Sequence, residues 1–207
     1  NWAVKDIAPM TIPRPGHVDL VAAVKYGYRE LRLGLERASA RETAMRVAAG
    51  SLCKQVLQTF GITIGGYVRQ IGSVAANLPD ATASELEKRF QTALKNDLAC
   101  PCDEAYNLMH DEIEACMKGR DTLGGIFEVY ALGLPTGLGS HVHWERRLDA
   151  RLAGAFMSIQ AMKGVEIGSA FENAGKRGTE VHDEIAGDND GALVRKTNRA
   201  GGLEGGM

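Results

Sequence analysis

Residues 14–50 read RPGHVDLVAAVKYGYRELRLGLERASARETAMRVAAG, and the spacing of their apolar side chains predicts two consecutive helices. The first is predicted over 18–33, with a break at Gly27, because glycine weakens a helix interior. The second is predicted over 40–59 and is rich in alanine and glycine. Small residues on more than one side indicate close packing against several neighbours, so we expect this helix to be internal.

The start of the second helix is a candidate anion site. Ser39 is a good N-cap, and Glu42 follows it at the spacing of a capping box. Free N–H groups at a helix start bind anions. The flanking cations Arg37 and Arg41 oppose the helix dipole, which favours an anion between them and the helix. The alternative is that both arginines pair with acids such as Glu36 or Glu42.

A histidine ends the turn Arg14-Pro15-Gly16-His17. Histidine titrates near neutral pH and can donate a proton or stabilise developing negative charge. Together with the anion site, His17 and Arg14 indicate chemistry on a phosphorylated or carboxylated small molecule. The alternative for His17 is a surface or helix-capping residue.

The remaining pattern mixes helices with a few strands. No Gly-rich phosphate loop follows a first strand, which argues against a Rossmann or P-loop domain and favours an α+β sandwich. The predicted segments are an extended lead-in over 1–17, a strand over 62–75 with a bulge or bend at Gly65-Gly66, helices over 81–97 and 103–118, a strand over 123–133, a helix over 145–163, a short strand over 165–167 and a flexible flap over 174–195.

Composition limits the class of protein. The 207 residues suffice for one large domain or two small ones, and 44% apolar with 24% charged residues is ordinary for a globular protein. A net charge of −2 gives no general attraction to nucleic acid or anionic membranes. No apolar run approaches the roughly 18–20 residues that span a bilayer. The sequence also shows no signal-peptide pattern, so we predict a cytoplasmic protein without nucleic-acid or membrane partners.

Cysteine and histidine positions give no clear metal site. Four cysteines predict free thiols, with Cys53 buried in its helix, and Cys100-Pro101-Cys102 has the wrong spacing for a zinc knuckle. His141 and His143 would share one face of a strand, but no third ligand is identifiable. His182-Asp183-Glu184 offers two acids beside a histidine, with a solvated polar cluster as the alternative. We therefore predict no metal.

The sequence resembles the chorismate synthase family over essentially its whole length and in the family's order. Two of the matching segments, ERASARETAMRVAAG and TNRAGGLEGGM, are quite specific. The matching stretches are RPGHVDL (14–20), ERASARETAMRVAAG (36–50), DTLGG (121–125), GLPTGLGS (133–140), LDARLAGAFMSIQAMKGVEIG (148–168), EVHDEI (180–185) and TNRAGGLEGGM (197–207).

The resemblance implies a fold and an activity. Family members form a β-α-β sandwich with helices between antiparallel sheets and assemble as a homotetramer. They convert 5-enolpyruvylshikimate 3-phosphate to chorismate by anti-1,4-elimination of phosphate, the last step of the shikimate pathway, and they require reduced FMN. No reductase module is present in this sequence, so we expect reduced flavin from an external flavin reductase.

The resemblance also implies residue roles. His17 corresponds to the family's catalytic histidine near the flavin, where it would stabilise charge on the reduced ring. Substrate contacts correspond to Arg14, Ala40 and Arg41. FMN contacts correspond to Arg37, Ala38, Ser39, Gln160, Ala161 and Gly206. Many members have serine at the position of Ala38 and asparagine at the position of Gln160.

Two parts of the family pattern lie outside this sequence. One is an early glycine-acid-serine-histidine-glycine motif, and the other is a late lysine-proline segment followed by an arginine-serine-aspartate motif. We expect residues 1–207 to form a single domain that corresponds to the central portion of a longer one. The alternative function is a non-catalytic fragment that keeps only partial flavin or phosphate-ligand binding.

Overall fold

The protein is described by a computed structural model over residues 8–188 and 191–207. The first seven residues of the predicted lead-in lie outside this description, as do residues 189–190 of the predicted flap. The chain divides into two compact units, one of residues up to Gly50 with Pro135–Met207, the other of Ser51–Leu134. We describe each unit by itself.

The first unit begins with α1, Asp19–Tyr26, and α2, Arg32–Arg37. The predicted break lies at Gly27, which caps α1 in the left-handed conformation at φ 70°. The second helix begins near the end of the predicted 18–33 span and continues beyond it. A Cβ on Gly34 would lie 2.8 Å from the Cβ of Ala22, so the absence of a side chain lets α1 and α2 approach closely.

The predicted capping box at the next helix does not form. Ala40–Glu42 is a 3₁₀ turn that leads into α3, Thr43–Gln58. Ser39 is the N-cap as predicted, and its Oγ accepts a hydrogen bond from the Arg41 amide at 3.2 Å. The Glu42 carboxylate accepts from Arg46 and Gln160 instead of the Ser39 amide.

The prediction that α3 is internal is wrong for this chain, since none of its residues is buried. Its apolar positions are exposed, with Met45 at 74%, Leu52 at 65% and Val56 at 59%. Cys53 is likewise exposed, although all four cysteines are free thiols as predicted. Small side chains permit close packing but do not supply the partner surface that would bury them.

The second unit contains a three-stranded antiparallel sheet in the order β2-β1-β3. The strands are β1, Thr63–Ile71, β2, Val74–Ala75, and β3, Gly125–Leu132. The single strand predicted over 62–75 is therefore a hairpin, because Gly72 takes φ 55° and reverses the chain. The predicted strand over 123–133 is β3.

The two glycines of β1 do not form the predicted bulge. The register shift lies between Val68 and Gln70, while Gly65 and Gly66 pair regularly with β3. A Cβ on Gly65 would overlap the ring of Phe90, and a Cβ on Gly66 would lie 2.5 Å from the Glu128 carbonyl oxygen. These glycines permit close approach of neighbouring groups.

Two helices cover the sheet, α4, Ala83–Ala93, and α5, Asp103–Gly119. The first is shorter than its predicted span of 81–97 by two residues at its start and four at its end, and the second matches its predicted span of 103–118 to within one residue. The first helix starts with a capping box, because the Glu85 carboxylate accepts from the amide and hydroxyl of Thr82, each at 2.7 Å. The core has two clusters, one around Tyr67, Leu86, Phe90 and Ala93, the other around Ala76, Cys100, Ala105 and Met109.

The rest of the first unit is made of short elements. The helix predicted over 145–163 is a 3₁₀ turn, Trp144–Arg146, followed by α6, Leu148–Met157. Residues 165–167 are irregular, so the short strand predicted there is wrong. A short helix, α7, Ala170–Asn173, precedes the predicted flap. The flap itself contains regular structure, namely the helix α8, Gly178–Val181, and two antiparallel strands, β4, Ile185–Gly187, and β5, Leu193–Arg195.

The architecture is α+β with antiparallel sheets, as the sequence predicted. Within residues 8–188 and 191–207, no helix has both the length and the apolar character needed to cross a bilayer.

Candidate functional site

The Arg14–His17 turn is held by a buried acid. Asp19, in the first turn of α1, has no exposed surface. Its carboxylate accepts from Arg14 Nε at 2.9 Å, Arg14 Nη2 at 3.1 Å and the Arg14 amide at 3.0 Å. These hydrogen bonds lower the pKa of Asp19 to about 2, so the group is an anion at neutral pH.

His17 is exposed, and one of its ring nitrogens is already used. Its Nδ1 lies 2.9 Å from the carbonyl oxygen of Pro15. A carbonyl oxygen only accepts, so Nδ1 carries the hydrogen. The other nitrogen, Nε2, is then an acceptor in the neutral ring and a donor in the protonated ring. This arrangement suits a group that exchanges a proton or stabilises an anion.

The predicted anion site between α2 and α3 is exposed, and its two arginines differ in whether they pair with an acid. Arg41 forms an ion pair with Glu36 at 2.5 Å, as the alternative reading proposed. Arg37 forms no ion pair among residues 8–188 and 191–207. Exposed ion pairs are weak, so Arg41 can exchange Glu36 for a ligand anion.

Glu42 links this turn to the end of α6. Its Oε2 accepts from Arg46 Nε at 2.8 Å and from Gln160 Nε2 at 3.0 Å. Arg46 also donates to Ser158, through Nη1 to Oγ at 2.9 Å and through Nη2 to the carbonyl oxygen at 3.2 Å. Hydrogen bonds from Arg46 and Gln160 lower the pKa of Glu42. Glu42, three residues after the predicted cofactor segment 37–39, thus contacts Gln160 of the other predicted segment, 160–161.

The orientation of the Gln160 amide follows from its partner. A carboxylate only accepts, so Nε2 must face Glu42 and Oε1 must point elsewhere. Oε1 is buried and makes no hydrogen bond with any described residue. The next residue, Ala161, has φ 68°, which is uncommon for a residue with a Cβ. Unsatisfied acceptors and unusual backbone angles of this kind concentrate at ligand sites.

Gly206, in the same unit, is held by backbone hydrogen bonds to two distant residues. Its carbonyl oxygen accepts from the amides of Leu148 at 2.8 Å and Ser140 at 3.2 Å. Its φ is 91°, and a Cβ there would lie 2.7 Å from Arg147 Cγ. Only glycine fits this position without displacing Arg147, which is itself paired with Asp149 at 2.5 Å.

A second buried acid, Asp183, holds the loop that leads to Gly206. Its Oδ1 accepts from the Thr197 hydroxyl and from the Arg199 amide at 2.8 Å, and its Oδ2 accepts from the Ala200 amide at 2.9 Å. Burial raises the pKa of Asp183, but these hydrogen bonds outweigh it, and the net pKa is lowered. Both carboxylate oxygens are therefore occupied by protein donors.

The histidines of the alternative metal reading are not grouped with other ligands. His143 lies beside Glu145, with Nδ1 to Oε1 at 3.7 Å, and His141 is exposed. No set of three or more His, Cys, Asp or Glu side chains within the described parts of the chain is arranged to hold a metal ion. Of the two acids in the His182-Asp183-Glu184 cluster, Asp183 anchors a loop and Glu184 pairs with Lys196.

The second unit contains a polar cluster that the sequence did not suggest. Tyr67 and Tyr130 donate to Glu128 Oε2 at 2.7 Å and 2.9 Å, and Arg69 donates to Glu128 Oε1. Burial raises the pKa of Glu128, but hydrogen bonds from its three donors outweigh burial and the net pKa is lowered, so it stays ionised. The cluster satisfies a half-buried carboxylate on the face that packs against Phe90.

The structure brings some predicted residues together and leaves others apart. Gln160 meets the 37–42 turn through Glu42, whereas no hydrogen bond or ion pair among the described residues joins the Arg14–His17 turn to it. Sequence reasoning missed Asp19, Glu42 as an anchor, and the role of Asp183. Two sequence features could have pointed to these acids: Asp19 stands at the start of a predicted helix, and Asp183 stands next to a histidine.

Known proteins match this chain over nearly its whole length, including all the segments described above. A family model described as chorismate synthase matches residues 2–207. The chain is 56% identical over 197 residues to the chorismate synthase of Symbiobacterium thermophilum, a match that covers 95% of this chain and 50% of the relative. It is 51% identical over 198 residues to that of Desulforudis audaxviator, covering 96% of this chain and 50% of the relative.

A solved structure agrees with the sequence relatives. The fold is similar to a structure described as "Crystal Structure of Chorismate Synthase", with a TM-score of 0.87 and 46% identity over 91% of this chain and 58% of that chain. The chain spans about half the length of the curated relatives it matches. The matches in sequence and in fold lead to one conclusion: this chain belongs to the chorismate synthase family.

Proposed function

We propose that this chain is the central portion of an active chorismate synthase. The reaction is the anti-1,4-elimination of phosphate from 5-enolpyruvylshikimate 3-phosphate, which gives chorismate and depends on reduced FMN. Family membership supports the enzyme class. The reaction loses a phosphate and a ring hydrogen, so the site must stabilise anions and accommodate proton movement.

The observation that carries this proposal is the Arg14–His17 turn. Buried Asp19 fixes Arg14, and the Pro15 carbonyl fixes the tautomer of His17 and leaves its Nε2 open. A histidine with one fixed N–H and one open nitrogen can stabilise charge on a reduced flavin beside it. Asp19 accepts from Nε and Nη2 of Arg14, so Nη1 is the guanidinium nitrogen proposed to contact an anionic ligand beside His17.

FMN is proposed as the cofactor because of the family, and one buried group of this chain suits it. FMN has an imide N–H donor and a phosphate, and Gln160 Oε1 is a buried acceptor that receives no hydrogen bond from the residues the structure describes. Because this oxygen is enclosed, we expect the Gln160 amide to shift when the ring binds. Arg37, Ala38, Ser39, Ala161 and Gly206 complete the proposed contacts. Reduced FMN held by these residues would supply electron density as the phosphate leaves.

The substrate contacts are proposed for Arg14, Ala40 and Arg41. Among the residues that the structure describes, the Arg41 guanidinium pairs with the exposed Glu36 alone, so it is available to a carboxylate or phosphate. Ala40 leaves room beside it because its side chain is a methyl group. We further propose a cytoplasmic homotetramer of one domain per chain, supplied with reduced flavin by an external reductase.

The proposal is tested with His17→Ala in the protein expressed from its complete reading frame. We expect turnover to fall roughly 10²- to 10⁴-fold, the usual range for a group that moves protons or stabilises charge, with a much smaller change in FMN affinity. His141→Ala is the matched control, because His141 is also exposed and has no proposed role. Unchanged turnover for His17→Ala would contradict the assigned role.

The second candidate is a non-catalytic fragment that binds flavin or phosphate ligands partially. It is favoured by the match to only half the length of the relatives. Titration of the 207-residue chain with reduced FMN distinguishes the two. Tight binding with turnover by this chain rules out the fragment. If the chain binds without turnover, the protein expressed from its complete reading frame decides: turnover there supports the enzyme, and no turnover supports the fragment.

A further inference from the structure

We infer that Asp183 is a positioning residue for the cofactor, because it holds residues 197–200, the start of the loop that leads to Gly206. The inference rests on the proposed function, since Gly206 is a proposed FMN contact. Asp183 is 7% exposed and Asp19 is not exposed at all, and they are the two buried charged residues of the described chain. Each one anchors a segment that carries a proposed ligand contact.

The loop needs a carboxylate at position 183. Three donors converge on it, the Thr197 hydroxyl and the amides of Arg199 and Ala200, and they use both oxygens. An asparagine would keep one oxygen and turn its NH₂ group toward a donor, leaving a buried N–H without an acceptor. The loop therefore depends on the second oxygen as well as on the first.

The same loop is clamped from its other side. The Arg199 carbonyl oxygen accepts from the Ser169 amide at 2.9 Å and from Asn173 Nδ2 at 3.1 Å. A Cβ on Gly201 would lie 2.5 Å from the Gly168 amide nitrogen, so the two backbones are in direct contact. The start of the loop is fixed between Asp183 and residues 168–173.

The far end of the loop is fixed as well. Glu204 pairs with Arg195 at 2.6 Å, and the Gly206 carbonyl accepts from Ser140 and Leu148. Four glycines between these anchors, Gly201, Gly202, Gly205 and Gly206, have positive φ. Such a chain is costly to order, so anchors that order it in advance raise ligand affinity.

The neighbouring charges do not replace Asp183. Glu184 pairs with Lys196 at 2.5 Å and is exposed, and Arg199 donates from its side chain to the Glu180 carbonyl. Arg195 favours the anionic form of Asp183. Glu184→Gln therefore removes the same charge one residue away without touching the loop amides.

The experiment compares Asp183→Asn, Thr197→Val and Glu184→Gln in the protein expressed from its complete reading frame. The readouts are the dissociation constant of FMN reduced with dithionite under anaerobic conditions and hydrogen exchange at the amides of Arg199 and Ala200. We expect Asp183→Asn to weaken binding roughly tenfold and to speed exchange at both amides. Thr197→Val should give a smaller change in the same direction, and Glu184→Gln should leave both readouts unchanged.

A control separates positioning from general loss of stability. Gly65→Ala destabilises the other unit through Phe90 and should leave the FMN dissociation constant unchanged. If Asp183→Asn does not fold, Thr197→Val carries the test, because it keeps the carboxylate and removes one donor. Wild-type FMN affinity in both loop variants would overturn the inference, as would weaker binding without faster exchange at Arg199 and Ala200.

The test also distinguishes failure of the proposed function. If the wild-type protein binds no FMN, the proposed function fails, and the exchange data alone decide whether Asp183 holds the loop. If the wild-type protein binds FMN and the loop variants bind it equally well, only the inference about Asp183 fails.

Discussion

The Asp19 carboxylate and the Arg14 guanidinium form a two-point ion pair, with Nε to Oδ2 at 2.9 Å and Nη2 to Oδ1 at 3.1 Å. Asp19 is fully buried, whereas Arg14 keeps 41% of its side chain exposed. The pair fixes the turn that ends at His17, so a residue with no access to ligand controls one that is proposed to touch it.

Asp19→Asn should destabilise the protein and lower turnover. One of the three Arg14 donors would lose its acceptor, and the turn that carries His17 would no longer be fixed. Thermal unfolding and steady-state kinetics measure the two effects. Arg14→Lys is informative beside it, because lysine keeps the charge but cannot make the two-point contact. Equal turnover in wild type and Asp19→Asn would show that the turn does not depend on this pair.

Acid should unfold the protein partly through Asp19. Its folded pKa of about 2 lies below its ordinary value of 3.8, so its stabilisation is present above pH 3.8 and is lost as pH falls through 2. The pKa of Asp183 is also lowered and adds to the same trend. We expect the stability difference between wild type and Asp19→Asn to shrink across this interval in acid denaturation. If the stability difference between wild type and Asp19→Asn stays constant from pH 6 to pH 2, the acid sensitivity does not come from Asp19.

Glu42→Gln should weaken FMN binding by roughly 3- to 10-fold, the effect of one misdirected hydrogen bond. Glutamine both donates and accepts, so it no longer forces Gln160 Nε2 toward position 42. Fluorescence titration with FMN measures the change. Glu36→Gln is the matched control, since it removes an equal charge from the same exposed segment. A similar loss in both variants would point to net charge rather than amide orientation.

Gly65→Ala should lower the free energy of unfolding by about 1–3 kcal/mol, the usual result of overpacking. The added methyl would overlap the Phe90 ring. Gly154→Ala is the control, because nothing lies within 4 Å of its Cβ position in α6. In that variant the free energy of unfolding should rise by about 0.4–1 kcal/mol, because alanine restricts the unfolded chain more than glycine does. Denaturant titration of both variants checks the sign as well as the size.

Local sequence patterns predicted the elements that depend on local physics. Gly27 ends α1 because a left-handed cap needs glycine, and the apolar spacing of 103–118 gave α5 to within one residue. A capping box that was not predicted forms at Thr82–Glu85, while the predicted one at Ser39–Glu42 does not form. The difference lies in Gln160 and Arg46, which take the Glu42 carboxylate.

The candidate site was harder to predict because its anchors are distant in sequence. Glu42 and Gln160 are 118 residues apart, and Asp183 reaches Ala200 across 17 residues. No local pattern marks such partners. The resemblance supplied the candidate contacts, whereas the acids that hold them in place became visible only in three dimensions. The roles of the contacts themselves stay predictions.

The close approach of Gly65 and Phe90 has a consequence for how the second unit folds. This contact closes a loop of about 25 residues, whereas the Tyr67–Glu128 hydrogen bond closes one of 61. Short loops cost less entropy to close, so β1 and α4 can associate before β3 arrives. An edge of β1 would then remain open for that interval, and the late arrival of β3 would be the step at which pairing with a second unfolded chain competes.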